Sequence, residues 1–452
     1  MKMRTEQKTA VKNSIGRLVF VALSVLLQVI WICVQAMKLN RYSTWISVAT
    51  SVLTLVVVIL LYGRRTNAAF KMPWIILILA FPVLGLGMYL LFGRKEATQL
   101  VRERFERIDQ SLDGLLIQDK AVRIKLQQTD RMAANEAEYI WNYAKYPIYQ
   151  NTDVVFYKEA SEGIEAQKQA LNQAKHFIFM EYHAIEDKQS FGELKEILAR
   201  KAKEGVEVRL FYDDIGSIGF INTDFIQRME AEGIQCRVFN RLMPVLNVFM
   251  NNRDHRKITV IDGKIGFTGG YNLADEYFNI THPYGYWKDT GVRLEGDAVR
   301  SLTVMFLEMW NAIKGTDTDY TPYFLQDGAQ PHEAGLAGSV GVTQSDANIA
   351  ADSASGFVQP YADSPLDGEP VGENVYMGVV KAASEYVYFT TPYLIISDEM
   401  SRELCLAAKR GVDVRIVTPG IPDKKLVYRV TRSYYAQLAS AGVRIFEYTP
   451  GF

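Results

Sequence analysis

Three long apolar runs dominate the first hundred residues. They cover residues 18–37, 45–62 and 73–92, and basic residues border each run. A helix needs about 20 apolar residues to cross a hydrocarbon core of about 30 Å. The pattern therefore predicts a membrane anchor over residues 1–95 with two or three transmembrane helices.

Two of these runs admit a second interpretation. The first could be a signal peptide, although it exceeds the usual apolar core of about 7–15 residues and lacks a small-residue cleavage site. The third contains Pro82, Gly85 and Gly87, which permit a kink or a re-entrant element in place of a straight crossing. Lys and Arg are divided almost equally between the two sides, so the sequence leaves membrane sidedness undecided.

The hydrophobic pattern changes after the anchor. A charged helical connector is predicted for residues 96–135. A strand is then predicted over residues 175–185, a helix over 191–204 and a second strand over 206–212. A strand, a helix and a strand in this order are typical of a sheet covered by helices, so the fold class is α/β.

The same order of elements returns later in the chain. Three elements that repeat in one order indicate an internal duplication. The matching pairs are residues 175–185 with 385–395, 198–213 with 406–419, and 225–239 with 435–448.

The duplication divides the rest of the chain into three parts. Residues 136–315 form the first half, and residues 357–452 form the second. Residues 316–356 are rich in Ala, Gly, Ser and Asp and have little periodicity, which is typical of a flexible linker.

The average composition hides this division. The chain has 452 residues, 50 Lys+Arg against 51 Asp+Glu, and a net charge of −1. This balance excludes a generally basic nucleic-acid coat, so we expect no nucleic-acid partner. Cys33, Cys236 and Cys405 are too scattered for a disulfide framework or a metal cluster. We expect neither a metal nor a cofactor.

The most specific local sequence in the chain begins at His255. On a strand, alternation places His255 and Lys257 on the same face, while Ile258 and Val260 point toward the core. A neutral imidazole can attack phosphorus in a diester, and a neighbouring ammonium group can neutralise the non-bridging oxygens. The amide of Asn272 can donate to the same anion. These residues predict nucleophilic chemistry on a phosphodiester.

The motif resembles the signature of the phospholipase D superfamily. The pattern His-x-Lys-x-x-x-x-Asp starts at His255, and Gly-Gly-x-Asn follows at residues 269–272. With the duplication and the hydrophobic N-terminal module, the chain is most similar to the bacterial cardiolipin synthases, from residue 62 to residue 452. The resemblance implies a phospholipase D-like fold with a duplicated βαβ unit. It also implies enzymes that join two phosphatidylglycerol molecules into cardiolipin and glycerol through a phosphatidyl-histidine.

The resemblance also implies roles for particular residues. The motif carboxylate Asp262 is favoured as a structural residue over a proton carrier. A downstream carboxylate would hold the ring of the motif histidine and stabilise its charged form. The implied residues are His255, Lys257 and Asp262 for catalysis, Asn272 and Gly270 for substrate binding, and Asp289 for orienting the histidine.

Other polar side chains near the strand ends admit more than one interpretation. Glu181 lies in an apolar strand, where it could bind the lysines of the site or the glycerol hydroxyls, or form a helix cap or an internal salt bridge. His183 shares its face and is interpreted as a satisfied core histidine. Asp213 and Asp214 could hold a metal, but a turn before Gly216 explains them more simply.

A second His-x-Lys is missing from the sequence. Superfamily enzymes of this type build one active site from two motifs, and the second histidine commonly serves as general acid. We therefore expect the sequence to be truncated before the second motif. It would then hold half of a site, unless two chains pair their motifs in a homodimer.

The resemblance implies a multi-pass cardiolipin synthase of the bacterial cell membrane, with phosphatidylglycerol and the lipid bilayer as its partners. One alternative is a phospholipase D-type phosphodiesterase that passes the same phosphoenzyme to water. The choice between water and a lipid hydroxyl depends on the dryness of the pocket, which sequence does not reveal. A second alternative is an inactive, membrane-bound lipid-binding fragment.

Overall fold

The chain forms two compact units. The first comprises residues 1–103 and 242–252, and the second comprises residues 104–241 and 253–452. The computed structural model describes residues 43–64, 68–92, 99–241, 253–324, 356–364 and 368–452, together with Leu26, Val29 and Ile30.

Three apolar helices make up most of what is described of the first unit. They are α1 (Ser43–Tyr62), α2 (Ala68–Ala80) and α3 (Pro82–Phe92). Helices α2 and α3 pack closely because Gly85 has no side chain: a Cβ at this position would lie 2.6 Å from the Cα of Ile78. The third apolar run is interrupted at Phe81, between α2 and α3, which agrees with the predicted kink.

The predicted membrane crossings are not confirmed. The first predicted span, residues 18–37, falls almost entirely outside the part of the chain that the structure describes. Among the helices in the described ranges, none is both long and apolar enough to cross a membrane.

The predicted charged connector is helical. It contains α4 (Gln99–Leu112), α5 (Lys120–Thr129) and the start of α6 (Arg131–Ala144). Aspartates precede two of these helices and accept hydrogen bonds from the first free backbone N–H groups. This capping explains why α5 and α6 begin where they do.

A seven-stranded mixed sheet forms the centre of the second unit. Its strand order is β1-β7-β6-β5-β2-β3-β4, in which β2, β3 and β4 are parallel and the remaining pairs antiparallel. The strands predicted at residues 175–185 and 206–212 are β2 and β3, and β4 lies within residues 225–239, which the internal duplication identified. The strands are β1 (Thr152–Tyr157), β2 (Phe177–Tyr182), β3 (Glu207–Asp213), β4 (Gln235–Phe239), β5 (Lys257–Ile261), β6 (Ile265–Gly269) and β7 (Gly291–Gly296).

Helices cover both faces of this sheet. Every residue of β2 and of β5 is therefore buried. On one face, the ring of Phe306 stacks on Phe179 at 4.5 Å and on Trp310 at 5.7 Å between centroids. The helices are α7 (Ala160–Asn172), α8 (Gln189–Lys203) and α10 (Phe225–Ala231) on one face, α11 (Val299–Ile313) on the other, and the short α9 (Asp214–Ser217) after β3.

The start of the predicted flexible linker is fastened to the sheet. The guanidinium of Arg209 makes two hydrogen bonds to Asp317, at 2.7 and 3.0 Å, and one to the hydroxyl of Tyr323 at 2.7 Å. The guanidinium carbon also lies 5.2 Å from the ring centroid of Tyr323. The linker prediction therefore does not apply to residues 316–324, and residues 325–355 lie outside the described ranges.

The second half repeats the parallel part of the first. Its three strands are parallel in the order β10-β9-β8, as β2, β3 and β4 are in the larger sheet. This common topology supports the duplication. The elements are α12 (Val371–Ala382), β8 (Tyr386–Thr390), α13 (Asp398–Lys409), β9 (Asp413–Pro419), α14 (Lys425–Ser433), α15 (Tyr435–Ser440) and β10 (Arg444–Tyr448).

The Phe306→Ala substitution is expected to lower the free energy of unfolding by about 3–5 kcal/mol, because it removes a fully buried ring from between two aromatic neighbours. Chemical unfolding followed by tryptophan fluorescence measures the loss. The control is Phe156→Ala on β1, where the side chain is 59% exposed. That control should change the stability by less than about 1 kcal/mol. Equal losses in the two variants would contradict the placement of α11 against the sheet.

Candidate active site

Strand β5 brings the motif to the carboxyl end of β2. It lies antiparallel between β2 and β6, and its first residue, Lys257, is opposite Tyr182, the last residue of β2. His255 precedes the strand and is not part of it, contrary to the prediction. Alternation along a strand therefore does not explain how His255 and Lys257 meet.

The two side chains meet because the lysine turns back toward the histidine. The Nζ atom of Lys257 lies 3.2 Å from Nδ1 of His255 and donates a hydrogen bond to the backbone carbonyl of the same residue at 2.6 Å. Lys257 is buried, whereas His255 is exposed to solvent. A buried cation thus lies beside an imidazole that a substrate can reach.

The surroundings lower the pKa values of both groups. The pKa of His255 falls from 6.5 to about 4, first because neighbouring atoms displace water from the ring and then because of the positive charges of Lys257 and Lys424. Burial lowers the pKa of Lys257 from 10.5 to about 8, and nearby carboxylates offset this only in part. At pH 7 the imidazole is therefore neutral while most of the lysine is charged. This is the protonation that a nucleophile beside an anion-stabilising cation requires.

A second imidazole lies beside the first. The ring centroids of His183 and His255 are 4.7 Å apart. The Nδ1 atom of His183 donates to the backbone carbonyl of Asp254 at 2.6 Å, and the carboxylate of Asp213 lies 4.0 Å away. Gly216 makes room for this arrangement, since a Cβ there would lie 2.1 Å from the carbonyl oxygen of His183.

The structure therefore corrects the interpretation of His183. The residue is hydrogen-bonded, as that interpretation required, but it is half-buried at the site and not in the core. The sequence signal that could have revealed it is its position immediately after β2, at the strand end where the motif arrives.

The carboxylate of Asp213 is occupied by backbone contacts. Its Oδ1 accepts hydrogen bonds from the N–H groups of Ile215 and Gly216 at 2.9 and 3.1 Å. Its Oδ2 accepts from the N–H of Asp254 at 3.1 Å. Where a turn before Gly216 was predicted, the structure has the short helix α9, and Asp213 is its N-cap. These contacts position the backbone on which His183 rests.

Glu181 lies on the opposite face of the sheet from Lys257. The register places Glu181 opposite Ile258, so both point toward α11. The fully buried carboxylate lies 2.7 Å from Nε of Arg256. The structure thus places Glu181 in an internal salt bridge, which was the alternative, and away from the substrate position that was predicted for it.

Asp262 lies at the far end of β5 from His255, about 16 Å along the strand from Lys257. Its carboxylate accepts three backbone hydrogen bonds of 2.7–2.8 Å from residues 175–177, where β2 begins. Its own backbone has a φ of 52°, in the left-handed region. These contacts support a structural role for Asp262, which stays a prediction, and they place the residue apart from the other two motif residues.

Gly270 allows Asp289 to approach the site. A Cβ on Gly270 would lie 2.1 Å from Oδ1 of Asp289. The carboxylate accepts hydrogen bonds from the indole N–H of Trp287 at 3.3 Å and from a backbone N–H at 2.9 Å, and burial raises its pKa. The negative charge of Asp289 favours the charged form of Lys257 and so raises the pKa of that residue. Within the described residues no hydrogen bond joins Asp289 to His255, so the predicted orienting contact is not made here.

The amide of Asn272 is engaged within the protein. Its Oδ1 accepts a hydrogen bond from the N–H of Ala184 at 3.0 Å, and its Nδ2 donates to the hydroxyl of Tyr277 at 2.8 Å. Asn272 thereby holds the segment after β2 that carries His183. Its predicted contact with a substrate phosphate stays a prediction.

Comparison with protein families gives two matches. The family described as "Cardiolipin synthase, PLD-like domain" matches residues 168–310 and 376–452. These two segments contain strands β2–β7 and β8–β10 and so include both copies of the duplicated elements. The family described as "Phospholipase_D-nuclease N-terminal" matches residues 50–94, where the apolar helices lie.

Similar proteins align with most of the chain. An uncharacterized protein of Streptococcus mutans is 39% identical over 396 residues, which are 87% of this chain and 81% of that protein. A cardiolipin synthase of Halalkalibacterium halodurans is 32% identical over 424 residues, or 90% of this chain and 78% of its own length. Cardiolipin synthase 2 of Bacillus anthracis is 31% identical over 407 residues, or 87% and 72%.

The Asp262→Asn substitution is expected to lower the free energy of unfolding by about 2–4 kcal/mol, because it removes the charge from a carboxylate that accepts three backbone hydrogen bonds. Chemical unfolding measures the loss. The exposed Asp153→Asn on β1 is the control and should be nearly neutral. Unchanged stability in Asp262→Asn together with lost activity would instead favour a catalytic part for this residue.

Proposed function

Since this chain belongs to the cardiolipin synthases, which are phosphatidyltransferases of the phospholipase D superfamily, we propose that it joins two phosphatidylglycerol molecules into cardiolipin and releases glycerol. The observation that carries this proposal is the contact between His255 and Lys257. An exposed imidazole that is neutral at pH 7 lies 3.2 Å from a buried ammonium group. This pair suits nucleophilic attack on an anionic phosphodiester.

In the first step a ring nitrogen of His255 attacks the phosphorus of one phosphatidylglycerol. The nitrogen–phosphorus bond forms and the bond from phosphorus to the terminal glycerol oxygen breaks, which leaves a phosphatidyl-histidine. The ammonium group of Lys257 stabilises the charge on the non-bridging oxygens. The lowered pKa of His255 supports this step, because a protonated ring has no lone pair with which to attack.

In the second step the terminal hydroxyl of another phosphatidylglycerol attacks the phosphatidyl-histidine. The new oxygen–phosphorus bond forms, the nitrogen–phosphorus bond breaks, and His255 is regenerated. Both steps move a proton at an alcohol oxygen. In the second imidazole of the site, that of His183, Nδ1 donates a hydrogen bond to the carbonyl of Asp254. Its Nε2 is therefore the nitrogen that can exchange a proton with the alcohol oxygen.

The proposal includes a place for the enzyme at the cell membrane. The lipid substrates reside in a bilayer, and helices α1–α3 are strongly apolar over residues that match the N-terminal family. We propose that these helices embed in the apolar layer of the bilayer and anchor the enzyme there. Anchoring would confine the enzyme to the two-dimensional pool that contains both substrate molecules.

Cells that overexpress the His255→Ala variant are expected to contain no more cardiolipin than cells without the protein, because the variant cannot form the phosphatidyl-histidine. Transfer by the purified variant should fall by at least about 1,000-fold. Thin-layer chromatography or mass spectrometry of lipid extracts measures the product. The exposed His282→Ala is the matched control and should retain activity. Equal cardiolipin in cells with wild type and with His255→Ala would reject the assignment.

The products of the wild-type chain separate the proposal from its alternatives. Purified protein with phosphatidylglycerol vesicles is expected to yield cardiolipin and free glycerol in equal amounts. Phosphatidic acid as the main product would instead favour a phosphodiesterase that uses water. Lipid binding without either product would favour an inactive lipid-binding protein.

The plot of transfer rate against pH is expected to be bell-shaped, with the rate falling below about pH 4 and above about pH 8. Below about pH 4 the ring of His255 gains a proton and loses its lone pair, and above about pH 8 Lys257 loses the proton that makes it a cation. In Lys257→Arg the alkaline limb should move to higher pH, because guanidinium stays charged, while the acid limb stays in place. An alkaline limb that does not move would show that another group produces it.

A further inference from the structure

Helix α14 presents an apolar and basic surface to solvent. Leu426 is 75% exposed and Val430 is 45% exposed, one helical turn apart. Lys425 and Arg429 form a second exposed stripe beside them, also one turn apart. We call these four side chains the α14 surface. The opposite side of the helix is anchored by Thr431, which is fully buried and accepts a backbone hydrogen bond at 3.1 Å.

The chain around α14 carries positive charge that is only partly compensated: Lys424, Arg432 and Arg444 form ion pairs with Asp423, Glu447 and Asp413. Between Asp423 and Glu447 the sequence has five Lys and Arg residues and no Asp or Glu. Within the described part of the chain, neither Lys425 nor Arg429 makes an ion pair. Exposed apolar side chains beside unpaired basic ones are typical of helices that lie in the interface of bilayers with anionic lipids.

The helix begins at the rim of the active site. Lys424 immediately precedes the helix, and its positive charge helps to lower the pKa of His255. Its Nζ lies 5.1 Å from the ring centroid of Tyr393. That ring lies 6.4 Å from Phe452, which packs on Trp287 at 4.1 Å. Because Trp287 donates to the carboxylate beside Gly270, continuous contacts connect the start of α14 to the site.

We propose that the α14 surface docks on a bilayer that contains anionic phospholipid and so holds the active site at the level of the lipid headgroups. Leu426 and Val430 enter the boundary between headgroups and acyl chains, while Lys425 and Arg429 meet lipid phosphates. This inference rests on the proposed function, because docking brings the site to its substrate only if the substrate is a lipid of the bilayer. A stable protein partner would need about 800 Å² of matching surface, and two exposed apolar side chains supply far less.

A fluorescent probe on α14 tests the docking in the full chain. The native cysteines are replaced by alanine, and an environment-sensitive dye is attached to Leu426→Cys. We expect blue-shifted emission, and quenching by nitroxide-labelled lipids, in vesicles of phosphatidylcholine with phosphatidylglycerol. The shift should be weaker in phosphatidylcholine alone, where the basic residues find no anionic partner. The control is Leu406→Cys on α13, which is 47% exposed and should keep the emission of a probe in water.

Two results of this experiment would overturn the proposal. One is water-like emission from position 426 in the vesicles that contain phosphatidylglycerol. The other is a blue shift in neutral detergent that grows with protein concentration, because it would assign the α14 surface to a second copy of the chain.

Charge reversal on α14 tests whether docking assists catalysis. In Lys425→Glu/Arg429→Glu the apparent KM for phosphatidylglycerol in vesicles is expected to rise about tenfold. Turnover of short-chain phosphatidylglycerol in neutral detergent should be unchanged. The matched control is Arg402→Glu/Lys409→Glu on α13, which makes the same change in net charge at two exposed positions. An equal rise in KM in both variants would show an effect of net charge alone and would overturn the assignment to α14.

The two experiments separate failure of the docking from failure of the proposed function. If the wild-type chain makes no cardiolipin from short-chain lipid in detergent, the proposed function fails. The emission from position 426 still decides whether α14 enters the bilayer, because that measurement requires no turnover.

Discussion

The antiparallel register between β2 and β5 is the constraint on which the candidate site depends. It places Lys257 opposite Tyr182 at one end and Ile261 opposite Ile178 at the other. Asp262 secures the second end, because its carboxylate accepts three backbone hydrogen bonds from the start of β2. A slip of one residue would exchange the faces of every side chain on the strand. The hydrogen bonds at the Asp262 end of β5 thus determine which residues lie at the Lys257 end, where the candidate site is.

Successive cations of the motif point to opposite faces of the sheet and have different surroundings. Arg256 faces α11, where Glu181 and Glu308 lie 2.7 and 3.9 Å from it and offset the cost of burying its charge. Lys257 faces the other way and has no comparably close carboxylate among the described residues. Burial therefore lowers the pKa of Lys257, and its charge remains available for a substrate phosphate. One cation stabilises the fold while its neighbour serves the proposed chemistry.

The second half contributes to the site although the motif lies in the first. Its parallel strands repeat the topology of β2, β3 and β4, so the segments that follow β8 and β9 leave the sheet as those after β2 and β3 do. In the first half, His183 follows β2 and Asp213 is the last residue of β3. In the second half the corresponding segments carry Tyr393 and Lys424, and the charge of Lys424 helps to lower the pKa of His255. The duplication thus explains why residues from both halves contribute to one region.

The sequence by itself determined β2, β3, β4, their repeats in the second half and the motif, because these depend on residues close together in the chain. It did not locate β1, β6, β7 or α11. The tertiary structure alone decided which side chains meet. It paired β2 with β5, some 80 residues away, and thereby placed His183 beside His255 and turned Glu181 away from it. Strand pairing fixes the face of each residue through backbone hydrogen bonds between distant segments, and local periodicity carries no information about those partners.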